Sequence, residues 1–506
     1  MTKPADTSAA NVGAAADVQP SSEQHTLEEL VEIQRAAFLR DGIPDARTRI
    51  DRINRLQALL LDHAEEIAEA LTADFGSRPR ELSIATDVVG CMLDIAHQKR
   101  HLTKWMATEA PGKILATMGL KQQVRHDPLG VVAIMGPWNF PLQLTFVPAG
   151  AALAAGNRVL LRPSSITKRT TDVIARHASD YFSVEELAVV TSKYGSGSDF
   201  AKLKVDHMFF TGSPEVGASV ATEAGKNLVP VTLELGGKNP VVVDKDADLD
   251  KAAKRIADSR LVNSGQVCLC PDYVFVPEDK IGEFTDKVLA RWRETNPSIR
   301  DNGDYTATIN TKNYERIVDL IDDAEKLGAT KHQVIPPGER LPDAEVRKIP
   351  PTLLTGVKAG MKIEEDEVFG PVLTVYPYRE LSEAISHIAS HPHPLTMYWY
   401  GPENERFKTL QDSTRSGSIN ANDFALNLFG PNLQFAGVGK SGMGGYHGKY
   451  GFDTFSHARA VAISKMPLSV AELLSAPFAP KDIRLTNMQL KMWRKLTARA
   501  QKKLQR

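Results

Sequence analysis

The stretch VVAIMGPWNFP, residues 131–141, decides the fold predicted for this chain. Its first five residues are apolar and mostly β-branched, which is typical of a strand buried on both faces. The Gly-Pro pair that follows breaks the strand, and an apolar helix is predicted from Leu142 to Ala155. A buried strand that leads through a short loop into a helix is the repeating unit of an α/β sheet.

The same alternation continues along the chain as far as residue 233. Helices are predicted at 168–182 and after Gly212, and strands at 158–161, 187–191, 207–211 and 229–233. Strands and helices at this spacing favour right-handed β-α-β units and a parallel sheet. The fold class predicted is therefore α/β, and ligands of such sheets bind at the carboxyl ends of the strands.

The region before this sheet, from Leu27 to about Ala110, has a helical pattern. Apolar residues recur at spacings of three and four, at Ile53, Leu56, Leu60, Ala64, Ile67 and Leu71. The opposite face is predicted to be solvated and charged, with Arg52, Arg55, Asp62, Glu65, Glu66 and Glu69. Residues 1–25 are polar and small, which predicts a disordered tail rather than a signal peptide.

The length, charge and composition of the chain exclude several classes of protein. A chain of 506 residues predicts two or three domains, and a net charge of −1 gives no field that would attract nucleic acid. No apolar run approaches the ~20 residues that span a bilayer, so no transmembrane segment is expected. Three cysteines provide no disulfide framework and favour a reducing, cytoplasmic setting.

The segment VNSGQVCLCP, residues 262–271, places a cysteine just beyond a helix predicted at 248–263. An exposed thiol close to backbone N–H groups favours the reactive thiolate, so Cys268 is a candidate nucleophile. The alternative is a small core residue, because free cysteines are usually buried.

Two other segments contribute candidate site residues. Ser213 would cap a helix that starts at the end of a strand, where a phosphate is favoured; an ordinary capped helix is the alternative. Glu234 ends an apolar strand before two glycines, and desolvation there would raise its pKa toward that of a general base. The alternative for Glu234 is a structural ion pair with Lys238.

Five motifs together resemble the aldehyde dehydrogenase superfamily, over residues from about Leu27 to Lys465. They are PWNFP (137–141), FTGS (210–213), ELGGK (234–238), GQVC (265–268) and EVFGP (367–371). The later segments SGMGGYHG (441–448) and GFDTFSH (451–457) resemble the class 3 branch, and within it the coniferyl aldehyde dehydrogenases.

The resemblance implies NAD(P)-dependent oxidation of an aldehyde to the carboxylic acid. Cys268 would attack the aldehyde, Asn139 and the Cys268 N–H would bind the oxyanion, and Glu234 would activate water to hydrolyse the thioester. No metal site is expected. The cofactor site implied by the family consists of Trp138, Arg162, Ser165, Gly212, Ser213, Gly217, Glu367 and Phe369.

Three departures from the family pattern bear on specificity. The family usually has Lys-Pro-Ser-Glu where this chain has Arg162-Pro-Ser-Ser165, and losing that carboxylate predicts that NADP is used at least as well as NAD. The alternative is that Ser165 only bonds a ribose hydroxyl. Cys270 suggests reversible oxidation, or else a passive small side chain. Residues 434–437 differ near the expected substrate mouth, so aromatic or cinnamyl aldehydes, such as coniferyl aldehyde, and medium or long aliphatic ones all stay open.

The resemblance also implies an aldehyde dehydrogenase-like architecture and a homodimer joined by bridging strands. The predicted divisions are a tail (1–25), a Rossmann-like NAD(P)-binding domain (26–234, with bridging strands near 120–128), a catalytic α/β domain (235–432), a return segment with an oligomerisation strand (433–466) and a helical tail (467–506). The basic helical tail suggests packing on this chain or its partner subunit, or contact with an anionic membrane. A cysteine esterase without hydride transfer and a non-catalytic binding protein are the alternative functions.

Overall fold

The computed structural model describes residues 25–117, 119–466 and 469–504 of the chain. Nearly all of the predicted disordered tail, residues 1–24, therefore lies outside the described residues. The chain is largely helical from Leu27 to Trp105, as predicted, and one further short helix ends at Thr117. The helices are α1 (Leu27–Asp41), α2 (Ala46–Asp62), α3 (Ala64–Phe75), α4 (Arg80–Ser83), α5 (Val89–Trp105) and α6 (Lys113–Thr117), with a π-helical turn at Ile84–Val88.

The charged face predicted for α2 is not wholly solvated. Arg52 is only 4% exposed, and its guanidinium donates to the carboxylate of Glu186 at 3.0 Å. Arg55 donates to the same carboxylate at 2.7 Å. The prediction was wrong for Arg52 because α2 packs into the protein on this side, and a long arginine side chain can be buried when its charge is paired.

The first sheet has six strands and contains the predicted β-α-β units. Its order is β14-β6-β5-β2-β3-β4, parallel except for β14, which runs antiparallel to β6. Its strands are β2 (Val131–Met135), β3 (Arg158–Arg162), β4 (Leu187–Val189), β5 (His207–Gly212), β6 (Val231–Leu235) and β14 (Gly442–Met443). The helices that connect its parallel strands are α7 (Gln143–Ala155), α8 (Lys168–Tyr181), α9 (Gly197–Ala201) and α10 (Pro214–Lys226).

The second sheet has seven strands in the order β13-β12-β7-β8-β11-β10-β9, parallel except for β9. Its strands are β7 (Asn239–Val243), β8 (Pro271–Pro277), β9 (Thr330–Gln333), β10 (Thr352–Thr355), β11 (Val372–Tyr378), β12 (Thr396–Tyr400) and β13 (Ser418–Ala421). The helices in this region are α11 (Leu249–Leu261), α12 (Ile281–Thr295), α13 (Thr311–Lys326), α14 (Lys362–Glu365), α15 (Leu381–Ser390) and α16 (Glu405–Ser413).

Apolar clusters cover these sheets and fix their position. Along β2 the residues alternate between two clusters, with Val132 and Ile134 on one side and Val131 and Ala133 on the other. All four side chains are fully buried, which explains why the strand is a continuous apolar run. The α/β fold class predicted from this pattern is confirmed.

The predicted bridging strands pair with each other in this chain. β1 (Leu120–Pro128) runs antiparallel to β15 (Ser456–Ser464), from Leu120 opposite Ser464 to Pro128 opposite Ser456. The two strands form a separate two-stranded ribbon outside both large sheets. Most residues of β15 are exposed, so the ribbon has a free surface in the single chain.

The carboxyl-terminal segment contains α17 (Leu426–Phe429), α18 (Gly448–Thr454), α19 (Val470–Leu474) and α20 (Pro480–Leu504). The helix predicted near the end of the chain is therefore present as α20. Its predicted apolar side, Leu485, Met488, Met492 and Leu496, is exposed. No helix among the described residues combines the length and apolarity needed to cross a bilayer.

Candidate active site

The segment that carries Cys268 has an unusual backbone. After α11 ends, Asn263, Ser264 and Gly265 all have positive φ, at 49°, 52° and 76°. A Cβ atom on Gly265 would lie 2.1 Å from the carbonyl oxygen of Gly370, so only glycine allows the two chain segments to cross. The cysteine loop is thus fixed directly against the segment that follows Glu367.

Side-chain amides hold the cysteine loop in place. Asn239, the first residue of β7, donates to the carbonyls of Cys268 at 2.7 Å and Cys270 at 3.0 Å. The Gln266 amide donates to the Ala307 carbonyl at 3.1 Å. Sequence reasoning missed the role of Asn239; its position directly after the ELGGK motif was the available signal.

The Cys268 thiol is partly exposed, and its pKa is raised rather than lowered. Burial is the largest cause, and the nearby carboxyl groups of Glu367 and Glu234 raise the pKa further. The expectation that this environment favours a thiolate was therefore wrong. Burial, together with the two carboxyl groups, outweighs the backbone N–H contact, so the thiol has to give its proton to a base before it can attack.

Asn139 lies against the cysteine loop. Its side-chain amide donates to the carbonyl of Gln266 at 3.1 Å and is buried. The backbone carbonyl oxygen of Asn139 accepts a hydrogen bond from the guanidinium of Arg78 at 2.9 Å. The structure thus brings Asn139 to the loop that carries Cys268, although the two are far apart in sequence.

Arg78 belongs to a buried ion pair that sequence reasoning missed. Its guanidinium donates to the Asp87 carboxylate at 2.7 Å, and both side chains are fully buried. Asp87 also accepts from the backbone N–H of Leu142 at 3.0 Å. The pair therefore fixes both sides of the loop that carries Asn139. Single charges in a region with a helical pattern look solvated, so little in the sequence indicated this ion pair.

Glu234 lies in β6 and is only 2% exposed. Neither of its carboxylate oxygens has a hydrogen-bond partner among the described residues, and burial raises its pKa well above the ordinary value. The alternative ion pair with Lys238 is not formed. The Lys238 ammonium instead contacts the Asp272 carboxylate and donates to the Asp366 carbonyl at 2.9 Å.

Glu367 is a second carboxyl group with a raised pKa. Burial, followed by the neighbouring Asp272 carboxylate, raises the pKa of Glu367 to about 8. A Cβ atom on Gly236 would lie 2.2 Å from a carboxylate oxygen of Glu367, so glycine makes room for this side chain. Arg316 holds the segment by donating to the Glu367 carbonyl at 3.0 Å.

Phe369 and Trp138 meet although they lie far apart in the sequence. Their rings pack edge to face, with centroids 5.4 Å apart and an interplanar angle of 74°. Phe369 has a positive φ of 50°, which is rare for an aromatic residue. This backbone turn directs the segment after Glu367 toward the loop of Asn139.

The segment after β5 has the features predicted for a cofactor turn. Ser213 caps α10, accepting from the N–H of Val216 at 3.4 Å. A Cβ atom on Gly217 would lie 2.6 Å from the side chain of Leu235, so this glycine allows close packing of helix on strand. At Gly212 a Cβ atom would meet the Phe210 ring at 2.4 Å.

Arg162 and Ser165 lie at the end of β3 but differ in exposure. Ser165 is exposed, whereas the Arg162 guanidinium is buried and donates to the Gly195 carbonyl at 2.7 Å. Burial lowers the pKa of Arg162, and its second terminal nitrogen has no partner among the described residues. Ser165 is thus open to a ligand, while Arg162 is largely engaged by the protein.

Cys270 points away from the loop surface. Its Sγ contacts the carbonyl of Ser259 at 3.3 Å and is buried, and burial raises the pKa of its thiol to about 12. These contacts favour the passive small side chain over the oxidation hypothesis.

Comparisons with known proteins agree with this geometry. The model of the aldehyde dehydrogenase family matches residues 7–461. The chain belongs to the aldehyde dehydrogenase family. It is 41% identical over 451 residues to a probable coniferyl aldehyde dehydrogenase of Caulobacter vibrioides, covering 88% of this chain and 93% of that protein. It is an enzyme that oxidises aldehydes with NAD or NADP, as the sequence motifs implied.

Two further relatives place the chain more finely. The dimeric NADP-preferring aldehyde dehydrogenase of Canis lupus familiaris is 33% identical over 462 residues, which cover 91% of this chain and 99% of that protein. The solved structure of the substrate-bound state of Staphylococcus aureus AldH superposes with a TM-score of 0.84 at 31% identity, covering 92% of this chain and 99% of that one. The class 3-like resemblance and the fold predicted from it are confirmed.

The Arg78–Asp87 pair gives a test of how the Asn139 loop is positioned. Arg78→Ala is expected to lower the free energy of unfolding by about 3–5 kcal/mol, because it leaves the Asp87 charge buried and unpaired. The double variant Arg78→Met, Asp87→Leu should recover most of that loss but still lower kcat by about tenfold or more with little change in KM, because the loop shifts. Denaturant unfolding and steady-state kinetics measure both.

Arg80→Ala is the matched control, because Arg80 forms an exposed ion pair with Glu65. It should change neither stability nor kcat measurably. A double variant with full kcat would show that the pair stabilises the fold without positioning Asn139.

Proposed function

We propose that Cys268 is the nucleophile, Asn139 an oxyanion donor and Glu234 the general base of aldehyde oxidation by this enzyme. The observation that carries the proposal is the Glu234 carboxylate, which is buried, has no hydrogen-bond partner among the described residues and affects the pKa of the Cys268 thiol. Burying a carboxyl group without a hydrogen-bond partner destabilises a fold. The resulting raised pKa makes Glu234 a stronger base, which is a functional reason for the arrangement.

The chain's residues act in sequence on the substrate. Glu234, when ionised, takes the thiol proton, which also removes one of the negative charges that disfavour the thiolate. The thiolate adds to the aldehyde carbon, and the Asn139 amide and the Cys268 N–H donate to the oxyanion. A bound nicotinamide would supply the hydride acceptor that converts this adduct into a thioester on Cys268. Glu234, having released its proton to solvent, then takes one from the water that hydrolyses the thioester.

The residues present fit a nicotinamide dinucleotide. The capped start of α10 favours a phosphate, and the Glu367 carboxylate fits ribose hydroxyls. Phe369, packed against Trp138, provides an apolar wall for the nicotinamide. Gly212 and Ser213 would face the pyrophosphate, and close packing at Gly217 brings α10 near the strand ends.

NADP is proposed to serve at least as well as NAD. The argument depends on Ser165, which is exposed and uncharged and so does not repel a 2′-phosphate. Arg162 contributes less than the sequence suggested, since its guanidinium donates to Gly195. The canine relative, named as NADP-preferring, supports this assignment.

The proposed substrates are aromatic and cinnamyl aldehydes, of which coniferyl aldehyde is the example that the relatives' names supply. Medium and long aliphatic aldehydes are the competing class. An esterase that works without hydride transfer is not favoured, because the cofactor loops are intact beside Cys268.

We also propose a cytoplasmic homodimer in which the β1–β15 ribbon contacts a second subunit. A measurement of the molecular mass in solution tests the dimer.

A panel of cinnamyl, benzylic and aliphatic aldehydes tests the function. We expect reduced nicotinamide to form with both cofactors and kcat/KM to be highest for the cinnamyl group. Cys268→Ser should lower kcat by at least about a thousandfold, because an alcohol is a far weaker nucleophile. Cys270→Ala, the matched control, should remain active. Aliphatic aldehydes as best substrates would refute the substrate class, and an active Cys268→Ser would refute the nucleophile.

The base assignment predicts a pH dependence. A carboxyl group accepts a proton only when ionised, and the raised pKa of Glu234 delays ionisation to a higher pH. Steady-state kcat should therefore still rise with pH where an ordinary glutamate, with a pKa of about 4.3, is fully ionised. Glu234→Gln should remove this rise and lower kcat by about a hundredfold or more, and it should also slow the pre-steady-state burst of reduced nicotinamide, because the Cys268 thiol then lacks its base. An unchanged pH profile would exclude Glu234.

The cofactor assignment is tested at Ser165. Ser165→Glu should lower kcat/KM for NADP by about tenfold or more, because a carboxylate would face the 2′-phosphate, and should leave NAD nearly unaffected. Ser165→Ala, which adds no charge, is the control and should leave the NADP-to-NAD ratio nearly unchanged. A strong preference for NAD that is the same in both variants would contradict the proposal.

A further inference from the structure

A group of two histidines and one glutamate lies outside the catalytic loops, on the second sheet's helices. Glu364 is in α14, His387 is in α15, and His391 directly follows α15, four residues after His387. One nitrogen or oxygen atom from each of these three side chains lies within 4.8 Å of the other two. Two histidines at this spacing lie on one face of a helix, as in many zinc sites.

The distances suit a tetrahedral ion. The Glu364 carboxylate oxygen is 2.9 Å from Nε2 of His391 and 3.9 Å from Nε2 of His387. Two ligand atoms bonded to zinc at ~2.1 Å with tetrahedral angles are about 3.4 Å apart, so the measured separations lie on either side of this value. Small side-chain rotations would equalise them.

The ring of His391 is oriented as a metal ligand would be. Its Nδ1 lies 2.8 Å from the backbone carbonyl of His387, which requires an N–H on Nδ1. In the neutral ring this leaves the lone pair of Nε2 directed at the Glu364 carboxylate. Two lone pairs at hydrogen-bond distance repel each other unless a cation or a proton lies between them.

The surroundings fix the orientation of the His387 ring. The ring of His387 is packed among Tyr273, Phe275 and Tyr376, with centroid distances of 5.5, 5.2 and 5.1 Å. This apolar shell fixes the ring and limits water access. The nearby cation Lys238 is engaged by the carboxylate of Asp272, which offsets its charge.

We propose that Glu364, His387 and His391 bind a divalent transition-metal ion of the zinc class, with water as the fourth ligand. The ion would tie α14 to α15. Glu367 lies only three residues after Glu364, so the site fixes the base of the segment that carries it. The site is separate from the catalytic loops, and the proposal does not depend on the residue roles assigned to catalysis.

The chain offers a matched control in His63, Glu66 and His177, which also lie close together. There the Glu66 carboxylate already accepts from the guanidinium of Arg176 at 2.6 Å. A guanidinium bound to the carboxylate repels a second cation, so no ion is expected here.

The test measures Zn²⁺ binding to the full-length chain by equilibrium dialysis, with Cys268→Ser as the parent so that the thiol does not bind the metal. We expect one Zn²⁺ per chain and a higher Tm with zinc. His387→Ala, His391→Ala and the isosteric Glu364→Gln should each weaken binding by about tenfold or more and remove the rise in Tm. His177→Ala should bind like the parent.

Co²⁺ replaces zinc as a spectroscopic probe in the same parent. Tetrahedral visible bands without a thiolate charge-transfer band are expected, and Glu364→Gln should lose them. Absence of zinc binding by the parent, or equal binding by Glu364→Gln, would overturn the proposal, and the group would then be a histidine–glutamate ion pair. Loss of binding in His177→Ala would also overturn the proposal, because it would place the ion at His63, Glu66 and His177.

Discussion

The carboxylate of Asp272 is the contact on which the geometry of the site depends. It lies at the start of β8, is buried, and accepts from the Lys238 ammonium and from the backbone N–H of Val368 at 3.0 Å. One side chain thus joins the loop after Glu234, the strand after Cys268 and the segment that carries Glu367. Parallel strands end independently, so their loops need such a shared partner to keep a common geometry.

The negative charge of the Asp272 carboxylate also affects the pKa values of the neighbouring groups. Asp272 is the second cause, after burial, of the raised pKa of Glu367, and Glu367 in turn raises the pKa of the Cys268 thiol. Each buried carboxyl group therefore makes the next ionisation harder. The chain places three acidic groups and a thiol together, with Lys238 and Arg316 as the compensating cations. While its carboxyl groups and its thiol keep their protons, the site carries little net charge. This suits chemistry that transfers protons in steps.

Much of the fold followed from patterns of apolar residues. The strand at 131–135 was predicted with its observed limits, because continuous apolar runs between glycine breaks are specific for buried strands. The motifs also predicted Cys268, Glu234 and Glu367 as site residues, and the structure brings both carboxyl groups close enough to raise the pKa of the thiol. What the sequence did not show was the pairing of side chains over long separations. Arg78 with Asp87, Arg52 with Glu186 and Asn239 with the cysteine loop depend on packing, which local periodicity does not encode.

The contacts of Lys238 show why side-chain pairs that local patterns do not predict matter for function. In the sequence, Lys238 is the cation nearest Glu234, and an ion pair between them would have lowered the pKa of the carboxyl group and made it a weaker base. In the folded chain the backbone turns at the two glycines, and Lys238 instead reaches Asp272 and two carbonyl oxygens, of Ile363 and Asp366. Asp272 therefore keeps the lysine away from Glu234. Burial raises the pKa of Glu234, and no ion pair with Lys238 lowers it again, because Lys238 is held elsewhere.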